Sequence, residues 1–243
     1  MRGKQFHTVL IFGGSGEIGR AIGQTFGQKG WAVGLHFNQH RSSASETATV
    51  INEVGGKAFL YQADVTKSSK VREVFQAFSQ THGSLNVLVW AIGVPSAQLL
   101  LKTSSEDWIH TLQTNLTGTF HVLQEAGPIF EKQKDGAVVL LGSLSGEQGS
   151  PGQAAYAASK AGLIGLMRTT AKEWGSFNIR VNAIFPGWHE SPLSESGFDT
   201  ALHTQNHVLN RTPSLNKVAN TVYHLALARD ISGQVWNLDS RIW

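Results

Sequence analysis

Residues 8–12, TVLIF, form an apolar, β-rich run that passes directly into the glycine stretch GGSGEIG at 13–19 and then into a helical pattern at 20–29 closed by Gly30. A strand this apolar must be covered on both faces, which is the condition of a central strand in a parallel sheet. A glycine turn between such a strand and a helix leaves backbone N–H groups bare at the helix start, where anions bind. The succession recurs. Strand patterns at 31–37 (WAVGLHF), 57–62, 85–92 (LNVLVWAI), 137–141 (AVVLL), 179–185 (IRVNAIF) and 233–238 (GQVWNL) alternate with helical patterns at 42–54, 68–81, 104–129, 154–174 and 214–228. Strands alternating with helices predict one doubly wound α/β sheet over residues 1–243, with no repeat or linker dividing the chain.

Composition removes several function classes. The net charge is only +3 and no Lys/Arg cluster occurs, so a nucleic-acid footprint is not expected. The chain has no cysteine, which excludes disulfides and thiol catalysis. The apolar run at 9–12 is too short for a signal peptide or a membrane span, so a cytoplasmic location without membrane contact is expected. His203 and His207 stand four apart without a third ligand pattern, and no metal site is expected.

The chemistry concentrates at 142–160, GSLSGEQGSPGQAAYAASK, between an apolar strand and a helix. Ser143 stands at the strand end, and Tyr156 and Lys160 lie four apart, on one helix face. A free phenol, with a pKa of about 10, is a poor acid at neutral pH. A neighbouring ammonium is expected to lower that value and make proton exchange with a substrate oxygen practical. A Tyr/Lys pair alone is more often a packed ring beside a solvated amine, and a glycine turn alone is often only a tight connection. Asn115, unfavourable in mid-helix, is either a satisfied buried amide or a group with a specific bond to make. Asp64 after the third strand is a turn cap or a ligand.

On these residues the chain resembles the short-chain dehydrogenase/reductase family, whose serine and Tyr-x-x-x-Lys have this spacing, and the resemblance covers nearly the whole chain. It implies a Rossmann-type sheet of seven strands in the order 3-2-1-4-5-6-7, with Asn115, Ser143, Tyr156 and Lys160 catalytic, Asn115 by holding a water beside Lys160. It implies a nicotinamide dinucleotide held by Gly13, Ser15, Gly16, Ile18 and Gly19, with Asp64 and Val65 at the adenine. Ala91 and Gly93 would offer backbone contacts, Tyr156 and Lys160 the ribose contact, and Pro186, Gly187, His189 and Ser191 the nicotinamide side. No acid follows the second strand, whereas Asn38, Arg41 and Ser42 could hold a 2′-phosphate, so NADP(H) is expected, with NAD(H) as the alternative. Ser145 and Trp188 are expected to wall the substrate pocket, under a lid at about 188–211.

The implied reaction is hydride transfer to or from a small-molecule carbonyl or alcohol. A 3-oxoacyl-thioester substrate is expected, with small hydrophobic ketones or aldehydes, or a non-catalytic dinucleotide sensor, as alternatives. A homotetramer or homodimer is implied, joined through the long helices carrying Asn115 and Tyr156. Several positions depart from the family pattern, among them Phe12 in place of a Thr, Glu17 of a Gly, and Trp90 and Ala91 of a pair of Asn. Glu17 is expected to point away from the phosphates, Trp90 to crowd the adenosine side, and the terminal Trp243 to pack in an interface or core.

Overall fold

The computed structural model describes residues 7–189 and 207–241. Seven strands form one parallel sheet in the order β3-β2-β1-β4-β5-β6-β7, the order expected. They are β1 (Thr8–Phe12), β2 (Ala32–Phe37), β3 (Lys57–Gln62), β4 (Val87–Trp90), β5 (Gly136–Leu141), β6 (Ile179–Phe185) and β7 (Val235–Asn237). The helices between them are α1 (Glu17–Gln28), α2 (Arg41–Glu53), α3 (Ser68–His82), α4 (Ser105–Leu112), α5 (Gly118–Gln133), the single turn α6 (Ser145–Gln148), α7 (Ala154–Trp174) and α8 (Leu215–Leu227). Ser191, His203 and Trp243, and most of the expected lid, lie outside the described residues.

Strand side chains alternate between two buried layers, as the pleat requires. Val9 and Ile11 join Ile22, Phe26, Ile51 and Val222 from α1, α2 and α8. Leu10 and Phe12 join Val71, Phe75, Phe78, Phe130, Leu163 and Met167 from α3, α5 and α7. Both faces of the central strands are therefore dry, which is why those strands carry so few polar residues.

Two sequence expectations change here. The helix expected over 104–129 is interrupted: between α4 and α5 the chain makes a π-turn at Gln113–Thr117. Its cause is visible at Asn115, whose side chain bonds outside the helix, while the Thr119 hydroxyl donates to its carbonyl at 2.8 Å. Nor does Trp90 crowd the cofactor side. It is fully buried, 6.0 Å from the Phe12 ring. A Cβ on Gly118 would come within 3.1 Å of the indole, so that glycine makes room for Trp90.

Candidate active site

In a parallel sheet all strands end on one edge, and the turns there collect the polar residues of otherwise apolar segments. Ligands bind where neighbouring strands send their connections to opposite faces, here between β1 and β4. The glycine turn, Asn38, Asp64, Ala91, Gly93, Ser143 and Pro186 all follow the carboxyl ends of their strands.

The glycine turn is shaped by backbone contacts that exclude side chains. Gly13 has φ of +93°, and a Cβ on it would meet the Ala91 carbonyl carbon at 2.8 Å; one on Gly19 would meet the Gly13 oxygen at 2.1 Å. Ala91 N–H donates to the Phe12 carbonyl at 2.7 Å. Gly16 is different: it is exposed, and its nearest neighbour to a Cβ would be 3.6 Å away. It caps α1 in extended conformation without a side-chain bond. The N–H groups of Glu17, Ile18 and Gly19 thus have no acceptor within the helix. Bare N–H groups beside open space are the donor set that a pyrophosphate needs, so this turn fits a dinucleotide. Ser15 and Ile18 are half-buried beside it. Glu17 is exposed, and its carboxylate acts on His189, opposing the effect of burial on that imidazole.

Farther along the edge, Asn38, Arg41 and Ser42 are exposed at the start of α2, with the Arg41 guanidinium 5.9 Å from the Phe37 ring centre. Asp64 is both a turn residue and an available ligand. Thr66 N–H and hydroxyl donate to its Oδ1 at 2.9 and 2.7 Å, and the second oxygen remains. Burial acts to raise the Asp64 pKa, but the Thr66 bonds and the Lys67 charge outweigh it and hold the carboxyl below its usual value. Val65 can offer only backbone, because its side chain is 5% exposed and packs toward Gly118.

Lys160 is 2% exposed, and its ammonium donates to Leu141 O at 2.8 Å and Ile92 O at 3.3 Å, tying α7 to the ends of β5 and β4. Burial lowers its pKa to about 8. The Tyr156 ring centre is 5.6 Å from Nζ, and a Cβ on Gly93 would stand 3.3 Å from Nζ and 3.8 Å from the tyrosine ring. Burial raises the phenol pKa, and the Ser143 side chain opposes that rise. This corrects the expectation of a phenol acidified by Lys160. The ammonium is directed onto two carbonyls, and removal from water dominates both groups. Ser143 Oγ accepts from Ser145 N–H at 3.2 Å, leaving its own proton to donate, and Ser150 bonds the Ser145 hydroxyl at 3.1 Å.

Asn115 belongs to the same cluster but not as a group open to water. Its Oδ1 accepts from Val94 N–H at 2.8 Å, and its Nδ2 donates to Val94 O and Ser159 Oγ, both at 3.0 Å. Ser159 in turn donates to the Tyr156 carbonyl at 2.7 Å. Sequence reasoning passed over Ser159; the signal was its place three residues after Tyr156, on the face turned to Asn115. Across the cleft, Pro186 is buried and accepts from His189 Nε2 at 3.0 Å, while Gly187 (φ +81°) packs on Pro213. Trp188 is half-buried beside them. No metal-binding group of His and carboxylates occurs among the described residues, nor is any described helix long and apolar enough to cross a membrane.

Comparison with known proteins agrees with this geometry. The family model described as enoyl-(acyl carrier protein) reductase matches residues 14–240. A 3-oxoacyl-(acyl-carrier-protein) reductase of Staphylococcus epidermidis is 32% identical over 240 residues, covering 97% of this chain and 98% of the relative. The enzyme of the same name from Thermotoga maritima is 35% identical over 237 residues, 95% of each chain. A crystal structure from Sinorhizobium meliloti 1021, provisionally named a short-chain alcohol dehydrogenase, superposes with a TM-score of 0.91 at 28% identity, covering 96% of this chain and 95% of that one.

Proposed function

The chain belongs to the short-chain dehydrogenase/reductase family and is an NAD(P)-dependent oxidoreductase, and from that premise we propose that it reduces the ketone of 3-oxoacyl thioesters with NADP(H). One observation carries the reading: a phenol held protonated by burial stands beside the Ser143 hydroxyl and a buried ammonium at the open edge of the sheet. In the proposed reduction, Tyr156 gives its proton to the oxygen of the forming alkoxide while Ser143 hydrogen-bonds the same atom. Lys160, held by the Leu141 and Ile92 carbonyls, has its third donor available to the ribose hydroxyls. When bound, the nicotinamide supplies the hydride.

The bare N–H groups of residues 17–19 would hold the pyrophosphate, the free oxygen of Asp64 the adenine amine, and Arg41 with Ser42 the 2′-phosphate. The absence of an acid at 38–43 supports the phosphorylated cofactor. The thioester substrate is supported by the names of the 3-oxoacyl reductases at 32 and 35% identity. A homotetramer or homodimer is part of the proposal. Ile109 and Phe120 on α4 and α5 are 50 and 47% exposed, an apolar surface suited to a second copy, which sedimentation would reveal.

The test is NADPH consumption with 3-oxoacyl thioesters, diketones, quinones and aldehydes, for the wild type and Tyr156→Phe. Loss of the general acid is expected to lower turnover by about 10²–10⁴-fold with dinucleotide affinity unchanged. Near-normal turnover in the variant would overturn the assignment of Tyr156. Faster reduction of simple aldehydes than of thioesters would overturn the substrate.

A further inference from the structure

β2 is apolar except at its fifth residue, His36, which is 2% exposed. A buried imidazole in a central strand needs partners on both ring nitrogens, and the register supplies them. His36 lies opposite Phe12 on β1 and Tyr61 on β3. Its ring stacks on Phe12 with centres 4.6 Å apart and planes 27° apart. Gly13 N–H donates to Nδ1 at 3.4 Å, and Nε2 meets the Ala63 carbonyl at 3.0 Å. The His36 carbonyl accepts from Gly14 N–H at 2.8 Å.

A ring nitrogen that accepts from an amide carries no proton, and one that meets a carbonyl carries one. These contacts fix a neutral imidazole protonated on Nε2. Burial agrees, pushing the pKa down to about 4 against the opposing effects of the Ala63 carbonyl and the Asp64 carboxylate. The two segments joined by the ring are the first residue of the glycine turn and the residue just before Asp64. On the far side of Asp64, the Val65 carbonyl accepts from His121 Nδ1 of α5 at 3.0 Å. Imidazoles thus pin both carbonyls flanking Asp64, but His36 also holds the glycine turn. Phe12, ending β1, has no polar atom for that purpose.

We infer that His36 is a positioning residue for the dinucleotide, a cross-strand tie that sets the spacing between the phosphate-holding turn and the Asp64 segment that receives the adenine. The inference rests on the dinucleotide site proposed above. Its signature is selective. A ligand spanning both segments feels the spacing, whereas a ligand seated only at the adenosine end does not.

The experiment titrates the full-length protein with NADPH and with adenosine 2′-monophosphate, which lacks the 5′-phosphate that reaches the glycine turn, following bound-cofactor fluorescence and calorimetry. His36→Leu keeps most of the volume and removes both ring bonds. His36→Asn can still offer an oxygen toward Gly13 N–H, and His36→Gln a donor toward Ala63. His36→Leu is expected to weaken NADPH binding about tenfold, with adenosine 2′-monophosphate affinity and saturated turnover within about twofold. The Asn and Gln variants should fall between it and the wild type, and they decide the matter if the Leu variant does not fold. Wild-type NADPH affinity in the variants, or equal weakening of both ligands, would overturn the inference. A wild-type protein binding neither NADPH nor NADH would instead strike the dinucleotide site itself, an outcome read before any variant is compared.

Discussion

Replacing Asn115 by Ala separates two accounts of that residue. By family resemblance the amide holds a water near Lys160; in the structure it clamps Val94 on both backbone groups and bonds Ser159, which holds the Tyr156 carbonyl. Asn115 is fully buried, so the variant removes three hydrogen bonds with little compensation from solvent. At about 1 kcal/mol for each bond the loss is about 3 kcal/mol. For a chain of this length each kcal/mol moves the midpoint by about 2–4 °C, so Tm should drop by about 6–12 °C. Thermal unfolding followed by circular dichroism reads this directly, with kcat measured on the same preparation below the transition. Asn115→Asp should cost at least as much, because a buried carboxylate cannot donate to Val94 O or Ser159. A Tm within about 2 °C of wild type, whatever happens to kcat, would refute the clamp.

Gly19→Ala should weaken NADPH binding more than about tenfold, since the added carbon would lie 2.1 Å from Gly13 O and must displace the turn; an unchanged Kd by titration would contradict the packing. With Lys160 held at about 8, kcat/KM for reduction should fall as pH rises through about 8, and a profile flat to pH 10 would show the ammonium is not needed. His36 titrates near 4 in the fold against 6.5 unfolded. The unfolded chain therefore binds the extra proton between those values, and up to about 3 kcal/mol of stability should be lost as pH falls from about 6.5 to about 4. His36→Leu should lose that part of the pH dependence in urea titrations. Arg41→Ala should cut the NADPH-over-NADH ratio of kcat/KM about tenfold; a ratio unmoved by the change would remove Arg41 from the 2′-phosphate site.

What was legible in the chain was whatever depends on near neighbours. A strand buried on both faces has to be written in apolar residues, so 8–12 and 179–185 coincide with β1 and β6. Tyr156 and Lys160 share a face because a helix turns every 3.6 residues. The glycines at 13 and 19 announce a turn that tolerates no side chain, and the contacts behind them bear out that need.

The rest depended on which segments meet across the sheet. Trp90 could have faced the cleft or the core, and the strand's pleat put it against Phe12. That the Asn115 amide clamps Val94 and meets Ser159 follows only from the approach of those two segments. The sign of the Tyr156 shift followed from burial, a sum over distant neighbours that the four-residue spacing to Lys160 does not contain. His36 was visible as one polar letter in an apolar strand, but its ties to Gly13 and Ala63 exist only because β1, β2 and β3 lie side by side in register. Periodicity is local and so belongs to the sequence; desolvation and cross-strand bonding are sums over space, and only the folded chain supplies them.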